Sequence, residues 1–161
     1  HYDPRSKTLR LSPEVYNSTS LAALGIAAHE VGHAIQHSTE YVPLRLRNSI
    51  VPIANIGSNL ALPLLLLGIF LGLPNLALIG VAAFSLAVLF QLITLPVEFN
   101  ASGRAIEALE VGGYLGRDEV GSTRKVLNAA ALTYVAATLM AVMQLLRLLL
   151  ISGMAGNRRR R

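Results

Sequence analysis

The chain has 161 residues, of which 53% are hydrophobic and 14% charged, and its formal net charge is +5. This length allows one domain, so we expect residues 1–161 to form a single domain. The composition is too apolar for a typical soluble domain and favours an integral membrane protein. The chain contains no cysteine, which excludes disulfides and thiolate metal ligands. Any bound metal must therefore use histidine and carboxylate side chains.

The positive charge is concentrated near the ends of the apolar runs and in a C-terminal basic tail, residues 148–161, which ends in four arginines. Anionic lipid headgroups explain this distribution better than nucleic acid does. We therefore expect a lipid bilayer as a partner and no nucleic-acid role. The chain opens with the polar stretch 1–10, so we expect no secretory signal in it. It does not begin with Met, and we expect it to be a fragment of a longer protein.

Residues 1–48 are predicted to contain a short β-hairpin followed by a helix. The alternating segment Thr8–Ser12 follows the turn-forming segment Asp3–Lys7, which is typical of a hairpin. From about Thr19 to His37, apolar residues recur at three- and four-residue spacing behind candidate N-cap residues, which predicts a helix. Residues 38–48 are predicted to form a connector.

A transmembrane hairpin is predicted for residues 49–97. Residues 48–97 contain no Lys, Arg, Asp or Glu. A single helix of this length would be ~75 Å long, whereas the apolar core of a bilayer is ~30 Å thick, so the segment must fold back. The turn-forming residues 72–75 divide it into two arms of spanning length. Residues 126–147 are predicted to cross once more. The alternative is that these runs are buried helices of a large soluble core.

Residues 98–125 are predicted to form a further helix and a loop between the second and third crossings. Pro96 suits the first turn of a helix, so we predict a new helix from Val97 to about Val111 that ends at a glycine pair. A loop through Gly116 and Gly121 then leads to the last crossing. The predicted fold class is mainly α: an integral membrane protein with about three transmembrane helices, a histidine-bearing helix and a short N-terminal β-hairpin.

The sequence His29-Glu30-Val31-Gly32-His33 is an HExxH motif on this predicted helix. Residues four apart lie on one face of a helix, so both imidazoles can reach a single cation. Glu30 is the candidate general base, which takes a proton from the water that attacks a peptide carbonyl polarised by zinc. We therefore predict a zinc-dependent endopeptidase with one Zn²⁺ per chain and a protein or peptide substrate.

The alternative interpretation of this motif is a helix whose histidines are hydrogen-bonded core residues. Small neighbouring residues argue against it, because they would leave space for a metal and a substrate next to the helix. These residues are Ala27, Ala28, Gly32 and Ala34.

The third metal ligand has two candidates, His37 and Glu98. Eight residues of helix rise ~12 Å, so His37 cannot share an ion with His29 on an unbroken helix. We expect His37 to be a helix-end cation, or to support the site or contact substrate. Glu98 is the first charge after the apolar hairpin, and two crossings return the chain to the same membrane face. Its alternative role is to stabilise a helix N-terminus.

Three segments carry a resemblance to a known family: His29–His37, His1–Pro4 and Pro96–Ser102. Over most of the chain they resemble the bacterial membrane-bound neutral zinc metallopeptidases of the YugP type. More widely, the chain is similar to the CAAX prenyl protease and the heat-shock membrane protease. These are gluzincins in which the zinc-binding glutamate begins a helix after a transmembrane hairpin. The resemblance implies Glu98 as the third ligand.

In those wider relatives the glutamate is followed by an alanine at the third position and by an aspartate at the fourth, which supports a ligating histidine. Ala101 matches this pattern, but Ser102 replaces the aspartate. Asn100 or Ser102 would then supply a weaker hydrogen bond to a ligating histidine. Ser102 also motivates a rival hypothesis, a metal-binding membrane scaffold without proteolytic turnover. Candidate donors to the transition-state oxyanion are Tyr2, Tyr41, Tyr114 and Arg104.

We expect the chain to lie in the bacterial cytoplasmic (plasma) membrane. Basic residues lie on both predicted faces, so their distribution alone does not fix the orientation. The catalytic face is expected to carry Arg45, Arg47, Arg104, Arg117, Arg124 and Lys125. We expect this face to be cytoplasmic, partly because the similar membrane gluzincins work there. The sequence carries no signal for an oligomeric state.

Overall fold

The computed structural model describes residues 1–157, and the side chains of residues 1–153. The four terminal arginines of the predicted basic tail lie outside the described residues. The protein is mainly helical, with a small N-terminal sheet, as the sequence predicts. Within the described residues, three helices are long and apolar enough to cross a membrane: Val42–Phe70, Pro74–Val111 and Arg117–Gly153.

The N-terminal hairpin is present and short. Strands β1 (Tyr2–Asp3) and β2 (Thr8–Leu9) pair antiparallel, with Tyr2 opposite Leu9. The chain then forms a one-turn helix that the sequence analysis did not predict, α1 (Pro13–Tyr16). The hydroxyl of Ser12 caps this turn by accepting a hydrogen bond from the backbone N–H of Val15.

Helix α2 (Leu21–Ser38) carries the HExxH motif. The Ser20 side chain accepts a hydrogen bond from the backbone N–H of Ala23 and caps its N-terminus. The connector predicted for residues 38–48 is wrong over most of its length, because α3 (Val42–Phe70) begins within it. Pro43 favoured a connector, but in the first turn of a helix the missing N–H of proline costs no hydrogen bond.

The turn predicted for residues 72–75 is confirmed in its first half: α3 ends at Phe70 and Gly72 has a positive φ, but α4 (Pro74–Val111) already includes the last two of these residues. The prediction of a new helix at Val97 is wrong, because α4 continues through Pro96. Proline removes only one hydrogen bond of the helix. The helix beyond it contains the fully buried residues Val97 and Ala101, whose packing offsets that loss.

The final helix, α5 (Arg117–Asn157), begins directly after Gly116. The loop was predicted to extend through Gly121, but this residue lies inside α5. A single glycine in an exposed helical turn costs only about 1 kcal/mol relative to alanine, so the surrounding helix tolerates it. Asp118 and Glu119 lie in the first turn, where negative charge stabilises a helix N-terminus.

The described chain divides into two compact units. The first comprises His1–Arg45 and Thr94–Tyr134, and the second comprises Leu46–Ile93 and α5 from Val135 onward. In the second unit small residues bring α3 close to α4: a Cβ at Gly57 would lie 2.6 Å from the carbonyl oxygen of Ala83. Such close approach of helix backbones is typical of packing in membranes. The single domain predicted for residues 1–161 stays a prediction.

In the first unit, α2 packs directly against α4 at Gly32. A Cβ at this position would overlap the carbonyl oxygen of Ala101, which is fully buried. One helical turn earlier in α2, Ala28 belongs to a core cluster with Ala105 and Ile106. The sequence predicts that the small residues of α2 leave space for a metal and a substrate. At Gly32 and Ala28 they instead allow close contact with α4.

We predict that Gly32→Ala lowers the stability of the first unit by about 1–3 kcal/mol, because the added methyl group forces α2 away from α4. The measurement is thermal unfolding in detergent followed by circular dichroism. Gly103→Ala is the matched control on α4, since a Cβ there meets no atom within 4 Å. Alanine should stabilise the helix at that position by about 0.5–1 kcal/mol. Equal effects of the two substitutions would contradict the close contact.

Candidate metal site

Two histidines of α2 and one carboxylate of α4 form a cluster in the first unit. His29 and His33 lie one turn apart, with ring centroids 4.7 Å apart and ring planes at 83°. Glu98 Oε2 lies 3.1 Å from His29 Nε2 and 3.7 Å from His33 Nε2. One potential ligand atom from each of the three residues lies within 4.8 Å of the other two. The structure therefore brings together the three predicted ligands.

Glu98 is deeply buried, with 2% of its surface exposed, and lies in the interior of α4. It is far from the first turn of that helix at Pro74, so the alternative that it stabilises a helix N-terminus is wrong. A buried carboxylate requires a positive partner or several hydrogen-bond donors. The two histidines are such partners of Glu98, which makes further contacts as well.

The contact between Gln36 and His33 determines which ring nitrogen of His33 carries a hydrogen. The Gln36 side chain is fully buried, and its Nε2 donates hydrogen bonds to Val97 O at 2.8 Å and to Asn100 Oδ1 at 3.0 Å. Its Oε1 must then face His33 Nδ1, at 2.9 Å. Because an amide oxygen can only accept, His33 Nδ1 carries a hydrogen and Nε2 is left for the cluster.

Ser102 contacts the other histidine, also at its Nδ1. Its hydroxyl oxygen lies 3.1 Å from His29 Nδ1 and can accept a hydrogen bond from that nitrogen. Both histidines then present Nε2 to Glu98. Ser102 and Asn100 thus lie where the predicted support of a ligating histidine requires them. Ser102 contacts His29 directly, whereas Asn100 acts through Gln36.

The cluster fits a cation on chemical grounds. With its Nδ1 hydrogen directed at Gln36, His33 offers the lone pair of Nε2 toward a carboxylate oxygen of Glu98, which is also an acceptor. A proton or a metal ion between them removes this conflict. Burial opposes the charged form of His33, but hydrogen bonds from its ring to Glu98 and Gln36, together with the charges of Glu98 and Glu30, outweigh it and raise its pKa. A proton and a metal ion therefore compete for the same nitrogen.

Glu30 is held by the N-terminal hairpin. Its Oε2 accepts a hydrogen bond from the backbone N–H of Tyr2 at 2.7 Å. The Tyr2 hydroxyl lies 2.7 Å from His37 Nδ1, so this tyrosine links the hairpin to α2 at two points. His37 thus contacts the hairpin and lies outside the cluster of His29, His33 and Glu98.

The candidate oxyanion donors lie at different places. Tyr2 contacts His37, and Arg104 donates a hydrogen bond from Nε to Asn100 Oδ1 at 2.8 Å. The Arg104 guanidinium carbon also lies 5.8 Å from the centroid of the Tyr41 ring. Tyr114 lines a separate apolar cavity between β2, α2 and α4.

Sequence reasoning missed two residues of the site, Gln36 and Tyr134. Gln36 follows His33 by three residues, which is the spacing of side-chain neighbours on a helix, and this signal could have identified it. Tyr134 lines a cavity together with His29 and Glu98. The one feature of the sequence that pointed to Tyr134 was its polar hydroxyl inside the third predicted membrane crossing.

We predict that Gln36→Leu weakens zinc binding about 10- to 100-fold, because His33 loses the partner that fixes its ring nitrogen. Zinc affinity would be measured by competition with a chromophoric chelator, and circular dichroism would verify folding. Gln144→Leu, a change of the same chemistry in the second unit, is the control and should retain the wild-type affinity. Equal zinc affinity in wild type and Gln36→Leu would contradict the role of this side chain.

The chain is similar to known proteins. A model of the family described as "Putative neutral zinc metallopeptidase" matches residues 1–153. A protein of Bacillus subtilis (strain 168) named "Putative membrane protease YugP" is 50% identical over 151 residues, which cover 94% of this chain and 67% of that protein. No solved structure matches the chain. The wider likeness to the CAAX prenyl protease and other gluzincins stays a prediction. The resemblance to the YugP type is confirmed, and this chain is a membrane protein that belongs to the family so described.

Proposed function

We propose that this protein is a zinc-dependent membrane endopeptidase in which His29, His33 and Glu98 hold one zinc ion per chain. The observation that carries the proposal is the convergence of these three side chains, with Glu30 next to the first of them on α2. Two neutral imidazoles and one carboxylate, with one position left open, are typical ligands of hydrolytic zinc. Calcium and magnesium prefer all-oxygen sites, so they fit this cluster less well.

When bound, zinc would polarise the scissile carbonyl and lower the pKa of a coordinated water to ~7. Glu30 would accept the proton of the attacking water and pass it to the leaving amine. The hydrogen bond from Tyr2 N–H to Oε2 restrains this carboxylate. Ser102 and Gln36 would orient the two histidines for metal binding.

The substrate is proposed to be a protein or peptide at the bacterial cytoplasmic membrane. Three apolar helices and a relative that is named a membrane protease support a membrane setting. We propose that the catalytic face is cytoplasmic, as expected from the sequence. The rival hypothesis of a metal-binding scaffold without turnover was motivated by Ser102. Ser102 contacts His29 at the position where an aspartate would support the ligand, so the replacement of that aspartate is weaker support for the scaffold hypothesis.

Glu98→Gln is predicted to abolish stoichiometric zinc binding while retaining the volume of the buried side chain, because an amide is a poor zinc ligand. Zinc content would be measured by elemental analysis of the purified chain in detergent. Glu107→Gln, an exposed position on the same helix, is the matched control. His37→Ala should retain zinc, since His37 contacts Tyr2 and not the cluster. Zinc that depends on His37 and not on Glu98 would overturn this ligand set.

Glu30→Gln is predicted to retain one zinc per chain and to lower the rate of peptide cleavage about 10²- to 10⁴-fold, because the general base is lost. Cleavage would be followed with a mixture of fluorogenic peptides, and zinc would be measured on the same samples. The control is Glu40→Gln, an exposed glutamate beyond the end of α2. Cleavage that persists at the wild-type rate would contradict the role of Glu30. Bound zinc without any cleavage by wild type would favour the scaffold hypothesis.

A further inference from the structure

A cavity of about 170 Å³ opens beside the metal-site cluster, within the first unit. On one side it is lined by His29, Glu98 and Ser102, all of which belong to the site. The rest of its wall is formed by α2 and α5. These wall residues are Ile26, Leu127, Ala130, Ala131 and Tyr134.

The wall away from the cluster is apolar apart from the Tyr134 hydroxyl and contains no charged side chain. Leu127 and Ala131 are buried and form its floor, whereas Ile26 and Ala130 are exposed and lie at its opening. An ammonium or carboxylate group placed against this wall would lose its hydration without gaining a partner of opposite charge from it, which is costly. An apolar group would instead gain about 25 cal/mol for each Å² removed from water.

The size of the cavity also limits its occupant. An apolar cavity of about 150 Å³ holds one benzene ring, so a cavity of about 170 Å³ accommodates one side chain of the size of leucine or phenylalanine. A whole drug-sized ligand generally needs about 300 Å³ or more. The cavity is therefore suited to one residue of a longer chain.

We propose that this cavity is a specificity pocket that receives an apolar side chain next to the scissile bond. This inference rests on the proposed peptidase function and adds a substrate class, peptides with a leucine- or phenylalanine-sized residue at the cleavage site. Consecutive Cα atoms are about 3.8 Å apart, so a peptide whose carbonyl lies at the metal can place only a flanking side chain in a cavity that His29 and Glu98 line. Ala130, at the opening, would limit the size of that side chain.

The first test uses the zinc-loaded full chain in detergent and peptides that carry glycine, alanine, leucine, phenylalanine, aspartate or lysine on either side of the cleaved bond. Wild type is expected to cleave leucine or phenylalanine peptides with a kcat/KM at least about tenfold above that for glycine or charged residues on one side of the bond. Ala130→Leu should reduce this preference at least about fivefold, because its side chain fills the opening. Ile26→Ala should shift the preference toward phenylalanine.

The second test measures binding without turnover, using leucine hydroxamate and glycine hydroxamate as zinc-binding probes in calorimetric titrations. Wild type should bind the leucine compound more tightly, and Ala130→Leu should remove the difference. Ala129→Leu is the matched control, because Ala129 is exposed on the same helix and does not line the cavity. It should keep the wild-type ratio of affinities.

The outcomes separate this inference from the proposed function. A leucine preference in hydroxamate binding that depends on Ala130, in a chain that cleaves no peptide, would support the pocket and contradict peptidase activity. Cleavage of all peptides at similar rates would support peptidase activity and overturn the pocket. Equal affinities for the two hydroxamates, as expected if a lipid chain or detergent fills the cavity, would also overturn it.

Discussion

The close contact between Gly32 and Ala101 determines the geometry of the candidate site. Gly32 lies between the two histidines in the sequence, and Ala101 lies between Glu98 and Ser102. A side chain at Gly32 would overlap the Ala101 carbonyl oxygen, so the two helices meet backbone to backbone. Only at this separation can a short glutamate on one helix reach both imidazoles on the other. The glycine inside the motif therefore allows the close packing of the two helices, and through it the assembly of the three candidate ligands.

The same contact brings the supporting residues into range. Gln36 lies one turn beyond Gly32 on α2 and reaches the backbone of α4 at Val97, while Ser102 reaches back to His29. Each histidine is thus held at Nδ1 by a hydrogen bond and directed at Nε2 toward the carboxylate. A pair of helices that lay further apart would lose these bonds together. The site is therefore a property of the helix pair, and not of the motif on α2 alone.

The sequence predicted the parts of this site that follow from local periodicity and from counting membrane crossings. The spacing of His29 and His33 fixes their common face, and the return of the chain after two crossings places Glu98 near them. The continuation of α4 through Pro96 was not predictable in this way, because it depends on burial of the residues beyond the proline. Tyr134 was missed for a similar reason: its place beside His29 follows from packing between distant segments.

The arrangement of donors and acceptors also bears on whether the site is catalytic or only binds metal. A structural zinc site is usually closed by four protein ligands, whereas a catalytic site keeps one position open. Among the side chains that the structure describes, the cluster offers three ligands. Glu30 lies next to this cluster in the sequence but is bound to the hairpin backbone through Tyr2. A carboxylate restrained in this way would be suited to the proton transfer proposed for it and would leave the fourth position to water or substrate, as a hydrolytic site requires.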